Sequence, residues 1–108
     1  MPSQEFRLLY ITAANSEEAM RLARGLVEAR LAACANILGE IRSIYWWQGK
    51  IEEGGEVALI AKTRADLVEE CIAKVKELHS YSCPCVITLP IMEGNPTYLE
   101  WLGTETKQ

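Results

Sequence analysis

No stretch of this 108-residue chain holds three consecutive basic residues, and its 11 Lys and Arg face 15 Asp and Glu, for a net charge of −4. A nucleic-acid-binding face is built from clustered Lys and Arg, so no nucleic-acid partner is expected. No uninterrupted apolar run approaches the roughly 20 residues a membrane-spanning helix requires, so no membrane partner is expected either. The N-terminal stretch MPSQEFRLLYITAANSEE lacks the charged start, long apolar middle and small-residue cleavage site of a secretory signal. A cytoplasmic protein is therefore expected, with Cys34, Cys71, Cys83 and Cys85 as reduced thiols. Histidine occurs once, at His79, and the G-x-S-x-G, P-loop and H-E-x-x-H patterns are all missing. Nucleophilic catalysis has little to rest on, and the chain is read as a non-enzyme without an organic cofactor.

What is present describes a globular domain. The 49% hydrophobic and 24% charged fractions are close to globular averages. A chain of this size buries roughly two-thirds of its unfolded surface, enough for a core without disulfides. Residues 1–108 are read as a single domain.

Residues 6–13 (FRLLYITA) are almost wholly apolar and predict a buried, central strand. Asn15 and Glu18 have the spacing of a capping box, and the helix they open is expected over 16 to about 32, with Arg30 interrupting its apolar stripe. Residues 35–47 predict a long strand. Gly49 and Gly54-Gly55 bracket a hairpin or extended loop, and Glu56–Lys62 returns as a third strand. Thr63 and Asp66 read as a second capping box before a helix ending near His79. Residues 86–92 form a fourth strand, on which Pro90 marks an edge or bulge. Residues 97–104 are a short helix or turn, and 104–108 a frayed tail. The order β-α-β-β-α-β predicts an α+β, ferredoxin-like split βαβ plan.

That plan covers one sheet face with helices and leaves the other open. Ile44, Tyr45, Trp46, Trp47, Val57, Leu59 and Ile60 lie on the hairpin arms, and adjacent tryptophans must point to opposite faces. Fully burying a ~200 Å2 aromatic side chain contributes roughly 5 kcal/mol at about 25 cal/mol per Å2. A homo-oligomer of closed symmetry is therefore expected, with Ile44, Trp46, Trp47 and Leu59 at its interface. The competing reading is that segment 97–104 folds back over the patch.

Four residues are candidate ion ligands. Cys34 reads as a thiol ligand or as a small buried hydrophobe. His79, at the end of the second helix, reads as a metal ligand or a surface cap. Cys83-Pro84-Cys85 places two thiols on one face of an extended segment, a pattern suited to a soft ion such as Cu(I) and also compatible with two incidental residues. Cys71 falls in the apolar helix stripe and reads as core. Glu56 shares a face with Lys62 but stands about 20 Å from it along the strand.

Four segments give the chain a resemblance to the CutA divalent-cation tolerance family: LAACANI at 31–37, SIYWWQGKI at 43–51, EVALIAKT at 56–63 and YLEWL at 98–102. The resemblance spans residues 6–102. It implies a homotrimer of ferredoxin-like protomers with hairpins pairing between subunits, and a link to copper or another divalent ion. The family pattern His-Pro-Tyr-x-x-Pro-Glu-Ile is met here by His79, Tyr81 and Pro84, while Ser80 replaces a proline and Cys85 a glutamate. The expected ligand set is His79 with Cys83 and Cys85, and Cys34 second. The alternative is a PII-like signalling or scaffold trimer whose inter-subunit cleft, lined by Tyr45, Trp47, Lys62 and Tyr81, holds a small ligand or a protein partner.

Overall fold

The computed structural model describes residues 4–108; residues 1–3, where the stretch read for a leader begins, lie outside it. Among the described residues the strands are β1 (Phe6–Ala13), β2 (Cys34–Trp47), β3 (Lys50–Arg64) and β4 (Val86–Ile91). The α-helices are α1 (Ser16–Glu28), α2 (Val68–Leu78) and α3 (Pro96–Glu105). The strands form one antiparallel sheet in the order β2-β3-β1-β4. This is the expected ferredoxin-like plan, with β1 central and β4, carrying Pro90, at an edge.

The core follows from alternation. Leu9, Ile11 and Ala13 of β1 and Val57, Leu59 and Ala61 of β3 point to one face and are buried there. They meet Ala19, Leu22 and Leu26 of α1 and Cys71 and Val75 of α2, residues spaced to share one helix face. Leu59 is fully buried in this core, so it is no interface residue: β3 turns it toward the helices.

Several local expectations give way to backbone chemistry. Helix α1 stops at Glu28, short of 32. Arg30 adopts φ 58°, and Arg30 N–H to Val27 O (3.0 Å) with Leu31 N–H to Leu26 O (3.0 Å) closes the helix as a Schellman motif. Glu18 accepts from Ala14 N–H rather than from the N-cap residue, while Asn15 caps Glu18 N–H as expected. Thr63 is no helix cap; it is a buried strand residue donating to Leu31 O, and a 3-10 turn at Ala65–Leu67 precedes α2. The C-terminal residues are tied down rather than frayed. Thr106 is buried, Arg64 donates to its hydroxyl (3.1 Å), and Lys107 N–H donates to Arg30 O (2.8 Å).

The hairpin is longer than expected because Gly54 and Gly55 lie within β3, paired with Ser43 and Arg42. The turn is Gln48-Gly49, with φ 51° and 79°, the doubly positive signature of a type I′ turn. A bulge between Ile37 and Gly39 adds one residue to β2, and Gly39 sits at φ 119°. Before the bulge Ile37 pairs with Leu59 on the helix side; beyond it Ile41, Ser43, Tyr45 and Trp47 pair with Glu56, Gly54, Glu52 and Lys50 on the open side. One inserted residue thus changes the face of the whole outer arm. The arm stretches the molecule to 49 × 25 × 22 Å with a radius of gyration of 14.6 Å, against about 13 Å for a compact chain of this length.

Candidate functional site

At the foot of the arm, on the open sheet face, lies a cavity of about 760 Å3. Its walls are the outer half of β2 (Ile41–Tyr45 and Trp47), Tyr10 and Thr12 of β1, Glu56 of β3 and the segment carrying Tyr81, Ser82, Cys83 and Cys85. The bulge at Leu38 makes the site, because it turns Tyr45 and Trp47 onto the face already occupied by Tyr10, Thr12 and Glu56.

The segment after α2 is held from three sides. His79 is buried, with Nε2 2.7 Å from Thr12 O and Nδ1 3.1 Å from Tyr81 N. A carbonyl only accepts and an amide N–H only donates, so the ring is neutral with its proton on Nε2. Ser80 N–H donates to Glu18 Oε2 (2.8 Å). The Tyr81 ring packs on His79 with centroids 4.6 Å apart, and its hydroxyl donates to Glu56 Oε2 (3.0 Å). Burial, and then the bond to Glu56, push the Tyr81 phenol up to about 12.

The structure brings some of the sequence-derived candidates together and separates others. Tyr45, Trp47, Tyr81, Cys83 and Cys85 border the same cavity. Lys62 is elsewhere: its Nζ lies 3.4 Å from Asn36 Oδ1 and 3.2 Å from the Tyr98 hydroxyl. Cys34 belongs to that second cluster, 3.7 Å from Asn36 Oδ1 and paired across strands with Lys62. Cys34 is level with Leu8 of β1 and Cys85 with Thr12, across three strand spacings. Roughly 20 Å therefore separates them within one protomer. His79 does not join the thiols in a ligand set, since both ring nitrogens are engaged. Among the described residues no three His, Cys, Asp or Glu side chains converge on a common ion position.

Two participants were missed in the sequence. In the sequence Glu56 stands out only for sharing a face with Lys62, yet it is the carboxylate of this cavity; its cue is a lone charge at the start of an apolar strand. Thr12, which borders the cavity beside Cys85, gives no cue of its own. Burial pushes the Cys85 thiol up, the Thr12 side chain opposes this, and the Glu56 charge adds to it. The cavity thus combines aromatic walls, two thiols and the Glu56 carboxylate, with Arg42 also in its lining.

The fold and this cavity define a class: a ferredoxin-like α+β protomer whose second and third strands extend as an arm beside an open-face site. Residues 7–105 match the family described as CutA1 divalent ion tolerance protein, and the chain belongs to that family. A divalent-cation tolerance protein CutA from Archaeoglobus fulgidus is 47% identical over 94 residues, covering 87% of this chain and 91% of its own. The chloroplastic protein CutA 1 of Oryza sativa is 45% identical over 101 residues, covering 94% of this chain. The chain spans only 57% of that rice protein and 62% of a CutA homolog from Xenopus laevis. The solved divalent cation tolerance protein (Cut A1) of Thermus thermophilus superposes with a TM-score of 0.92 at 42% identity, covering 94% of this chain and 99% of that one.

Proposed function

We propose that the chain acts in the cytoplasm as a homotrimeric metal-ion-binding protein of ion tolerance, taking copper or another divalent ion in the open-face cavity and acting as a binder rather than a catalyst. The carrying observation is the arm and the cavity at its foot. Ile44, Trp46 and Ile51 are 69%, 72% and 61% exposed on the arm, an apolar surface of the kind that marks an interface. The C-terminal helix does not shield it; α3 lies by Lys62, to which its Tyr98 hydrogen-bonds. Neighbouring copies packed on the arms would complete the cavity walls. The test is sedimentation at micromolar concentration with calorimetric titration by Cu(II), Zn(II) and Cu(I). A trimer that takes up ions supports the proposal; a compact monomer, or a trimer that binds none of the three, overturns it.

The aromatic lining favours a second reading, the PII-like module that holds a small ligand or partner in the same cleft. A screen of anions and nucleotides by thermal shift separates the two, since a ligand bound only by the native state raises the melting point. A stabilising organic ligand that competes with no metal would favour the second.

A further inference from the structure

We infer that Cys83 and Cys85 form a two-thiolate site for a soft monovalent ion of the Cu(I) class, opening onto the aromatic cavity at the foot of the arm. The inference rests on the ion-binding reading above and sharpens it to a ligand set and an ion class.

The donor set carries it. Both cysteines are free and border the same cavity, Cys83 exposed and Cys85 half-buried. Pro84 between them fixes its own φ and biases Cys83 toward extended backbone. Less conformational freedom is then lost when two donors close on one ion. Of the other nearby donors, both His79 nitrogens are engaged, Nε2 with Thr12 O and Nδ1 with Tyr81 N–H, and Glu56, whose Oε2 accepts from the Tyr81 hydroxyl, offers only hard oxygens that a soft ion does not select. Structural zinc takes four N or S ligands, and calcium takes six to eight oxygens. Two thiolates without a third strong donor match neither, but soft thiolates are the donors that select Cu(I).

The surroundings support the same class. Tyr45, Trp47 and Tyr81 give the site aromatic walls, and such surroundings tune a bound ion. The negative charge of Glu56 offsets part of the cost of bringing in a cation. Cys83, at the surface, provides the entry point, with Cys85 as the inner ligand. Binding displaces thiol protons, so affinity rises with pH.

The experiment is an anaerobic competition titration of the intact oligomer with Cu(I) against a chromogenic Cu(I) chelator, with Zn(II) titrated in parallel. Cys83→Ser, Cys85→Ser and Cys34→Ser variants are compared after circular dichroism and sedimentation show them folded and assembled. One Cu(I) per chain is expected. Affinity should fall more than about a hundredfold, over 2.7 kcal/mol, in Cys83→Ser and Cys85→Ser and stay unchanged in Cys34→Ser. X-ray absorption of the Cu(I)-loaded protein is expected to show sulfur neighbours and no nitrogen. If Cys83→Ser and Cys85→Ser bind Cu(I) like the wild type, or the spectrum shows nitrogen ligation, the dithiol assignment fails while ion binding stands. If the wild type takes Zn(II) or Cu(II) but not Cu(I), the dithiol assignment fails alone; if it binds none of the three ions, the ion-binding reading fails with it.

Discussion

Glu18 Oε1 lies 3.6 Å from His79 Nδ1, with both side chains almost wholly withdrawn from solvent. The contact joins the first turn of α1 to the end of α2. It is not a proton-sharing bond, because Nδ1 accepts from Tyr81 N–H and the carboxylate accepts from Ala14 and Ser80 N–H. Two helix ends and the segment leading to the cavity are therefore organised around one buried carboxylate.

That carboxylate predicts an acid transition. Burial pushes the Glu18 carboxyl up, but the hydrogen bonds from Ala14 N–H and from Ser80 outweigh it, leaving it below the usual glutamate range. A folded value below the unfolded one gives stability that is full above about pH 4.3 and lost as pH falls through the folded value. Glu18→Gln is expected to cost about 1–3 kcal/mol at neutral pH and to remove this acid loss. Urea midpoints across a pH series check it; parallel wild-type and variant profiles would count against the carboxylate.

Tyr81 predicts the alkaline counterpart. Its phenol, held up to about 12 by burial and by Glu56, should ionise well above the ordinary value of about 10. A raised folded value means stability is full below the unfolded value and declines as pH rises through the folded one. Glu56→Gln removes a charge that disfavours the phenolate, so Tyr81 should then titrate lower. NMR of ring-labelled tyrosine reads this directly. A Tyr81 resonance that titrates identically in wild type and variant would show that the pair does not form in solution.

The plan of the fold was legible because strand and helix periods are written in long apolar segments such as FRLLYITA and in the stripe through Cys71 and Val75. What was not legible depended on single residues. Arg30 in a left-handed helix terminus has no side-chain signature, so the apolar stripe alone predicts an α1 four residues too long. Gly54-Gly55 looked like a turn, yet Gln48-Gly49 turns the chain. The bulge at Leu38 reverses the outer arm, and with it the grouping of Tyr45 and Trp47 with Glu56. Cys83 and Cys85 both border the cavity, where their spacing suggested only a shared face. His79 and Lys62 do not, because their partners, Thr12 O and Asn36 with Tyr98, come from distant strands and from α3 that no local pattern announces.

The four thiols should differ sharply in reactivity. Cys71 is fully buried, and burial pushes its thiol up, so little thiolate is available to react. Cys83 is exposed and Cys34 and Cys85 are intermediate. Timed alkylation with mass spectrometry is expected to modify Cys83 first and Cys71 only after denaturant is added. Early modification of Cys71 would contradict its place in the core.

Gly39 tests the bulge. At φ 119° it occupies a region that costs a side-chain-bearing residue on the order of 1–3 kcal/mol, although a methyl group there meets no atom within 4 Å. Gly39→Ala should therefore destabilise through backbone strain alone, while Gly54→Ala, at ordinary φ and also in open space, should change stability by less than about 0.5 kcal/mol. Thermal melts of the two variants decide it. Equal losses would remove the special role of position 39.

Trp46 gives the sharpest test of the arm as an interface. It is 72% exposed in the single chain; covering roughly 150 Å2 of it would contribute about 3–4 kcal/mol. If the arm is free in solution, Trp46→Ala is a surface change worth less than about 0.5 kcal/mol, and the melting point does not depend on protein concentration. If the arm packs on neighbouring copies, stability is linked to association. The wild-type melting point then rises with concentration, and Trp46→Ala lowers it most in dilute solution. Melting curves for both proteins over a hundredfold concentration range distinguish the cases, and we expect the second.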